Sequence, residues 1–270
     1  MSDLKIGIAG ASGRMGRMLV REIAQTPGCI LSAASEGPGH AALGDDAGVI
    51  AGLDALGVTL NEDASALFSA SDAVIDFTAP SATARHAALA AENGTAHVIG
   101  TTGLSEAEEA ALHAAAKSVP IIWAPNMSLG VNLLFDLARR VAATLGTEYD
   151  IEIVEMHHAH KVDAPSGTSL ALGRAAAAGR GVNLDDVAVK SRDGLIGPRV
   201  AGDIGFATLR GGDVVGDHTV VFAGPGERVE LTHKANDRAI YAKGAVKAAL
   251  WASKNPPGLY GMADVLGIDR

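Results

Sequence analysis

The chain has 270 residues, 48% hydrophobic and 20% charged, the balance of an ordinary globular protein with room for one large core or two modest ones. A net charge of -9 and an aromatic content of only 4% speak against a nucleic-acid platform, which needs cationic surface and stacking rings. No apolar run approaches a membrane span, the first residues lack a signal-like apolar core, and Cys29 is the single cysteine. These features predict a cytoplasmic protein with no membrane or nucleic-acid partner.

Residues 5–9 form a short apolar run that ends in glycines and read as a buried strand. Residues 14–26 repeat apolar side chains at helical spacing (Met15, Met18, Leu19, Ile23) and are stopped by Pro27-Gly28. Strands are predicted at 29–35, 73–77, 96–100 and 121–124, with helices at 81–92 and 105–117. Residues 37–52 read as an irregular loop with one helical turn. Strand–helix alternation with short links predicts parallel βαβ units.

The pattern changes after Asn126. A long helix at 129–145 precedes a strand at 150–157 and an alanine-rich helix at 166–179. Strands at 205–210 and 218–223 flank Gly211-Gly212-Asp213, and a third at 228–233 follows Gly224-Pro225-Gly226. This punctuation predicts antiparallel hairpins, and a final helix spans 237–253. The expected fold class is α/β: a Rossmann-type doubly wound parallel sheet domain plus a second α+β domain with a mixed or antiparallel sheet. The expected bounds are 1–128 completed by 238–270, and 129–237.

Gly10-Ala11-Ser12-Gly13-Arg14-Met15-Gly16 lies between the first strand and the first helix. Glycines there permit a tight turn and close approach of a pyrophosphate to a helix start. The spacing is G-x-x-G-x-x-G, a general signal that its position after a strand and before a helix sharpens. Glu36 ends the second strand, where an acidic group binds ribose hydroxyls. Gly37 follows it in place of an arginine that would pair with a 2′-phosphate, which tilts the choice between NADH and NADPH towards NADH unless Arg14 or His40 serves instead. Gly100-Thr101-Thr102-Gly103 and Ala124-Pro125-Asn126-Met127 follow later strands at the ligand-binding edge of such a sheet.

The most informative stretch is Glu155-Met156-His157-His158-Ala159-His160-Lys161-Val162-Asp163-Ala164-Pro165-Ser166-Gly167-Thr168. Three readings compete for it. Glu155 and His157 share a strand face and could ligate a metal, but Lys161 beside them would repel a cation. The histidines could form a solvated loop. Or the cluster performs acid–base chemistry on an anion, with Ser166 capping a helix whose Gly167 and Thr168 N–H groups hold a carboxylate.

That stretch resembles the signature of the dihydrodipicolinate reductase family, and the resemblance spans the chain. Residues 10–16, 100–103, 124–131, 204–210 and 216–219 match in order. The resemblance implies NADH- or NADPH-dependent reduction of a small dicarboxylate, a cyclic imine formed from pyruvate and aspartate semialdehyde, on the diaminopimelate route to lysine. It implies that His157 gives or takes a proton, that Lys161 is a second proton donor, and that His158, Gly167 and Thr168 hold substrate carboxylates. Gly10, Ala11, Ser12, Gly13, Arg14, Met15, Glu36, Gly100, Thr101, Thr102, Ala124, Pro125, Asn126 and Met127 would line the dinucleotide. A resident metal is not implied, and a homotetramer is. Gly37 departs from the arginine many members carry, and Ala159 replaces a residue that is often arginine. Closure of one domain on the other is expected to assemble the site. A reductase of another anionic imine, a non-catalytic nicotinamide sensor and a metallohydrolase are the alternatives.

Overall fold

A computed structural model describes residues 2–268. Met1, Asp269 and Arg270, which the expected domain bounds include, lie outside the described residues. The chain divides into two compact units. One comprises the chain up to Leu129 together with the stretch from Ala239, and the other is Gly130–Arg238.

The first unit runs β1 (Leu4–Ala9), α1 (Arg14–Gln25), β2 (Cys29–Ser35), α2 (Ala47–Ile50), β3 (Leu60–Asn61), α3 (Ala64–Ser69), β4 (Ala73–Asp76), α4 (Pro80–Asn93), β5 (Ala96–Ile99), α5 (Glu106–Ala115) and β6 (Pro120–Trp123). Helix α6 (Leu129–Thr144) leads into the second unit. There follow β7 (Asp150–His157), α7 (Gly167–Gly179), α8 (Leu184–Val187), β8 (Ala188–Val189), β9 (Ile204–Arg210), β10 (Gly216–Gly224) and β11 (Glu227–Ala235). The chain returns to the first unit with α9 (Ala239–Ala252), β12 (Gly258–Tyr260) and α10 (Met262–Leu266).

The first sheet is parallel throughout, in the order β12-β6-β5-β4-β1-β2-β3. Its strand order reverses between β1 and β4, so the loops after them part at the carboxyl edge, where such sheets bind ligands. Every residue of β4 and β5 is buried, because helices cover both faces. Ile6, Ile8, Ile75 and Val98 pack with Leu19 and Ile23 of α1 and Ala245 and Ala249 of α9. On the other face Val74, Ile99 and Ile121 pack with Leu67, Phe68 and Leu112. Each such buried Leu, Ile or Phe stabilises the fold by about 1.5–3 kcal/mol.

The second sheet is mixed, in the order β11-β10-β7-β9-β8. Strand β7 pairs antiparallel with β10 and parallel with β9. The expected antiparallel hairpin of 205–210 and 218–223 about Gly211-Gly212-Asp213 does not form, because β7 lies between β9 and β10. Their link crosses the end of β7 and is tied to it. Gly211 N–H donates to His157 O at 2.9 Å, His158 N–H to Val214 O at 2.7 Å and Ala159 N–H to Gly212 O at 3.1 Å. A glycine turn reads alike in sequence whether it joins neighbouring strands or strands one place apart. The β10–β11 pair is antiparallel as expected. Along β7 burial alternates, with Ile151, Ile153, Glu155 and His157 on the covered face. The two isoleucines join Leu134 and Ala138 of α6 and Leu172 and Ala176 of α7 in the core.

Candidate active site

In the first unit a cleft of about 730 Å³ opens at the carboxyl ends of β1, β2 and β4. Gly10, Ser12, Gly13, Glu36, His40 and His86 are among its walls. Gly10 adopts a φ of 74°, open to glycine at little cost. At Gly16 a Cβ would lie 2.2 Å from Gly10 O, so only glycine lets α1 press against the loop. Gly13 precedes α1 and has no side chain to cap its first-turn amides. That is the form of an anion site at a helix start. The Glu36 carboxylate is pinned to this loop. Its Oε1 accepts the Ser12 N–H at 2.8 Å and the Ser12 hydroxyl at 2.7 Å, and its Oε2 accepts the Gly37 N–H at 3.3 Å. These residues fit the pyrophosphate and ribose of a dinucleotide.

The other expected cofactor residues divide. Gly100–Thr102 and Ala124–Met127 follow β5 and β6 at the same carboxyl edge but do not line this cleft. Arg14 is exposed and Met15 half-buried against the core. Ala124 and Met127 are core residues, and Asn126 turns its Oδ1 to the Ser128 N–H at 2.9 Å. Thr101 is buried, and its hydroxyl faces a network that sequence reasoning missed. Asp76, fully buried at the end of β4, accepts from the Thr78 N–H (2.9 Å) and hydroxyl (2.6 Å), from His86 Nδ1 (2.8 Å) and from His97 Nε2 (3.2 Å). Thr101 Oγ1 lies 3.5 Å from its Oδ1 and accepts from Thr83 at 2.8 Å. Burial alone would raise the Asp76 pKa, but the two imidazoles outweigh it and hold the carboxyl well below the usual range. Asp76 thus braces the loops after β4 and β5.

In the second unit the signature residues gather at the end of β7. His157 Nδ1 meets Glu155 Oε2 at 2.5 Å. The opposite oxygen, Glu155 Oε1, accepts the Ser166 N–H at 3.1 Å, just before α7. Arg210 of β9 grips both oxygens, at 2.9 and 3.0 Å. Burial would raise the Glu155 carboxyl, but hydrogen bonds from Arg210, His157 and Ser166 outweigh it and hold its pKa low. Burial pushes His157 below the ordinary histidine value. Glu155 opposes this, while Lys161 and Arg210 add to it. Lys161 Nζ bonds Asp163 Oδ1 at 2.7 Å, and its N–H donates to His158 O at 3.1 Å.

Helix α7 starts at Gly167, which is exposed, after Ser166 as its cap. Ser166 Oγ accepts the Ser169 N–H at 3.1 Å and lies 3.1 Å from His218 Nε2. Arg210, His218, Gly216 and Arg238 are site residues to which sequence reasoning gave no role, and Glu155 figured there only as a possible metal ligand. The His218 ring centroid lies 5.0 Å from that of His157, and burial, then His157, pushes its pKa down to about 4. At Gly216 a Cβ would lie 3.0 Å from His157 Nε2. Arg238 Nη2 donates to His158 Nε2 at 3.3 Å. The period-two pattern that pairs Glu155 with His157 was a readable signal; cross-strand partners depend on register and were not.

The family model for the N-terminus of dihydrodipicolinate reductase matches residues 4–127, and the model for its C-terminus matches residues 130–266. The chain is 57% identical over 268 residues to a 4-hydroxy-tetrahydrodipicolinate reductase of Rhodopseudomonas palustris strain BisB18, covering 99% of each chain. It is 55% identical to the enzyme of that name from Beijerinckia indica, again over 99% of each. The fold is similar to that of a dipicolinate-bound dihydrodipicolinate reductase from Paenisporosarcina sp. TG-14, with a TM-score of 0.78, 22% identity and coverage of 97% and 98% of the two chains. It is also similar to an amine dehydrogenase from Mycobacterium smegmatis, with a TM-score of 0.60, 14% identity and coverage of 100% and 97%. With both halves matched and near-complete coverage of curated relatives, the chain belongs to the dihydrodipicolinate reductase family, a family of oxidoreductases.

Proposed function

We propose that the chain reduces 4-hydroxy-tetrahydrodipicolinate, through its dehydrated and conjugated form, to tetrahydrodipicolinate in the diaminopimelate route to lysine. The observation that carries this reading is the grouping of His157 and Lys161 with the start of α7 at the end of β7. A dicarboxylate needs cationic and N–H partners, and reduction of a conjugated imine needs a proton beside the carbon that is reduced. Gly167 and Thr168 open the helix and can take one carboxylate. His158 can take part in holding it, with the Arg238 guanidinium adding positive charge. His157 and Lys161 can deliver the proton and stabilise developing negative charge. The low pKa of His157 leaves its ring neutral in the ligand-free chain at neutral pH. A dianionic substrate beside it raises that pKa, so proton uptake accompanies substrate binding.

A nicotinamide dinucleotide is the cofactor of this reductase, and when bound it supplies the hydride to ring C4. Gly10–Gly13 and Glu36 are the residues that would hold its pyrophosphate and adenosine ribose, with Gly100–Thr102 and Ala124–Met127 along the same sheet edge. NADH is the preferred form in this reading. The Glu36 carboxylate suits a ribose hydroxyl and repels a 2′-phosphate, and Gly37 brings no arginine to offset it. No helix among the described residues is long and apolar enough to cross a membrane. The single cysteine suits a cytoplasmic setting. A homotetramer would cover the outer face of the second sheet, where Leu209 is 51% exposed beside Met156.

The test is nicotinamide oxidation by the purified protein, with substrate made in situ from pyruvate and aspartate semialdehyde by the preceding synthase. Substrate-dependent oxidation, faster with NADH than with NADPH, is expected. A folded sample that binds NADH and oxidises neither cofactor would overturn the assignment.

A further inference from the structure

We propose that Glu155 is the positioning residue of this site, holding the His157 imidazole as its Nδ1–H tautomer so that Nε2 is the atom that exchanges the proton. The proposal rests on the reading of His157 as a proton-transfer group. Glu155 is 1% exposed, and its two oxygens receive four hydrogen bonds: from His157, from the Ser166 N–H and, twice, from Arg210. A carboxylate so held is ionised and can only accept, so the nitrogen that meets it must carry the hydrogen. The lone pair of the neutral ring then resides on Nε2. That atom faces Gly216, the residue whose missing side chain leaves it uncrowded. The same carboxylate holds the amide of Ser166, directly before the helix start assigned to a substrate carboxylate. One group therefore fixes the spacing between the proton site and the anion site.

The charged and titratable groups facing His157 are Glu155 on its own strand, Lys161 on the following loop, Arg210 on β9 and His218 on β10. They give the proposal opposite signatures from the two halves of one ion pair. Glu155→Gln removes the negative charge that favours the protonated ring, so the His157 pKa falls. Arg210→Met removes a positive charge and frees the carboxylate for the ring, so the His157 pKa rises.

The test is histidine-labelled NMR on the full chain, with pH–rate profiles alongside. In the unsubstituted protein above the His157 pKa, the Nδ1–H tautomer is expected; the Nε2–H tautomer would overturn the proposal whatever the variants do. Glu155→Gln is expected to lower kcat on the order of 100-fold, with a smaller change in KM and the alkaline limb of the profile, where the proton donor is lost, moved to lower pH. Arg210→Met should move it to higher pH. Shifts in one direction for both, or none, would mean that the pair is merely structural and overturn the proposal. If the tautomer and opposite shifts are found but the rate profile does not follow His157, the positioning stands and the donor role of His157 falls.

Discussion

His157 sits on the face of β7 that carries Ile151 and Ile153, and its chemistry is set by what meets each ring nitrogen. On the proposed reading, His157→Ala lowers kcat by roughly 10²- to 10⁴-fold, the usual span for loss of a general acid. NADH affinity should stay near that of the parent, because the dinucleotide residues belong to the first unit. Steady-state kinetics and fluorescence titration check this, and parallel losses in both would mark the residue as structural. Gly216→Ala brings a methyl group against Nε2 and must displace the ring by a few tenths of an ångström. A drop in kcat of about tenfold is expected, since small misplacements of reacting groups are costly; unchanged kcat would show that Nε2 has room. The histidines, Lys161 and the helix-start residues were legible because rare residue types stood together in one short stretch. Arg210, His218 and Arg238 were not, because each lies on a later strand or loop and gains meaning only through register.

At the scale of elements, the two helix starts proposed to receive anions are built differently. Helix α1 depends on a missing side chain: a Cβ at Gly16 would meet backbone, which cannot move aside as a flexible side chain can. Gly16→Ala should therefore abolish measurable NADH binding by calorimetry while leaving most helical circular dichroism intact; normal affinity would refute the close-packing argument. Helix α7 depends on a present one. Ser166→Ala removes the cap and the partner of His218 Nε2, for an expected loss of about 1–2 kcal/mol in urea unfolding. KM should rise more than kcat falls, and a change in stability alone would dissociate the cap from substrate binding. Long elements were readable from periodicity: Asp150–His157 and Cys29–Ser35 carry the bounds expected of them. The unforeseen elements β3, α3, α8, β8, β12 and α10 have six residues or fewer, too few for a period to show. Asp63, whose side chain accepts from Ser65 and Ala66 N–H groups, was the one local sign of α3.

For the molecule as a whole, buried histidines and carboxylates make stability fall as the pH drops. His218 has a folded pKa of about 4 against an ordinary value near 6.5. The unfolded chain binds its proton first, so the stability held above pH 6.5 is lost as the pH falls towards 4. This one group contributes on the order of 3 kcal/mol. His97 and His233, also lowered, act with the same sign. Asp76 and Glu155 follow at more acid pH, where their carboxylates take up protons. Urea midpoints should fall steadily from pH 7.5 to 5, and His218→Asn should flatten the slope; a flat profile in the parent protein would contradict the buried neutral imidazole. The place of β7 at the centre of the second sheet has a further consequence for synthesis. The strand that carries Glu155 and His157 emerges from the ribosome well before β9 and β10, the two strands that flank it. At ordinary translation speeds this leaves the site-bearing strand with two open edges for a time on the order of seconds. Unpaired edges are templates for association with other chains. The half-made protein is thus open to aggregation, and to capture by chaperones, while the strand of the proposed site waits for its neighbours.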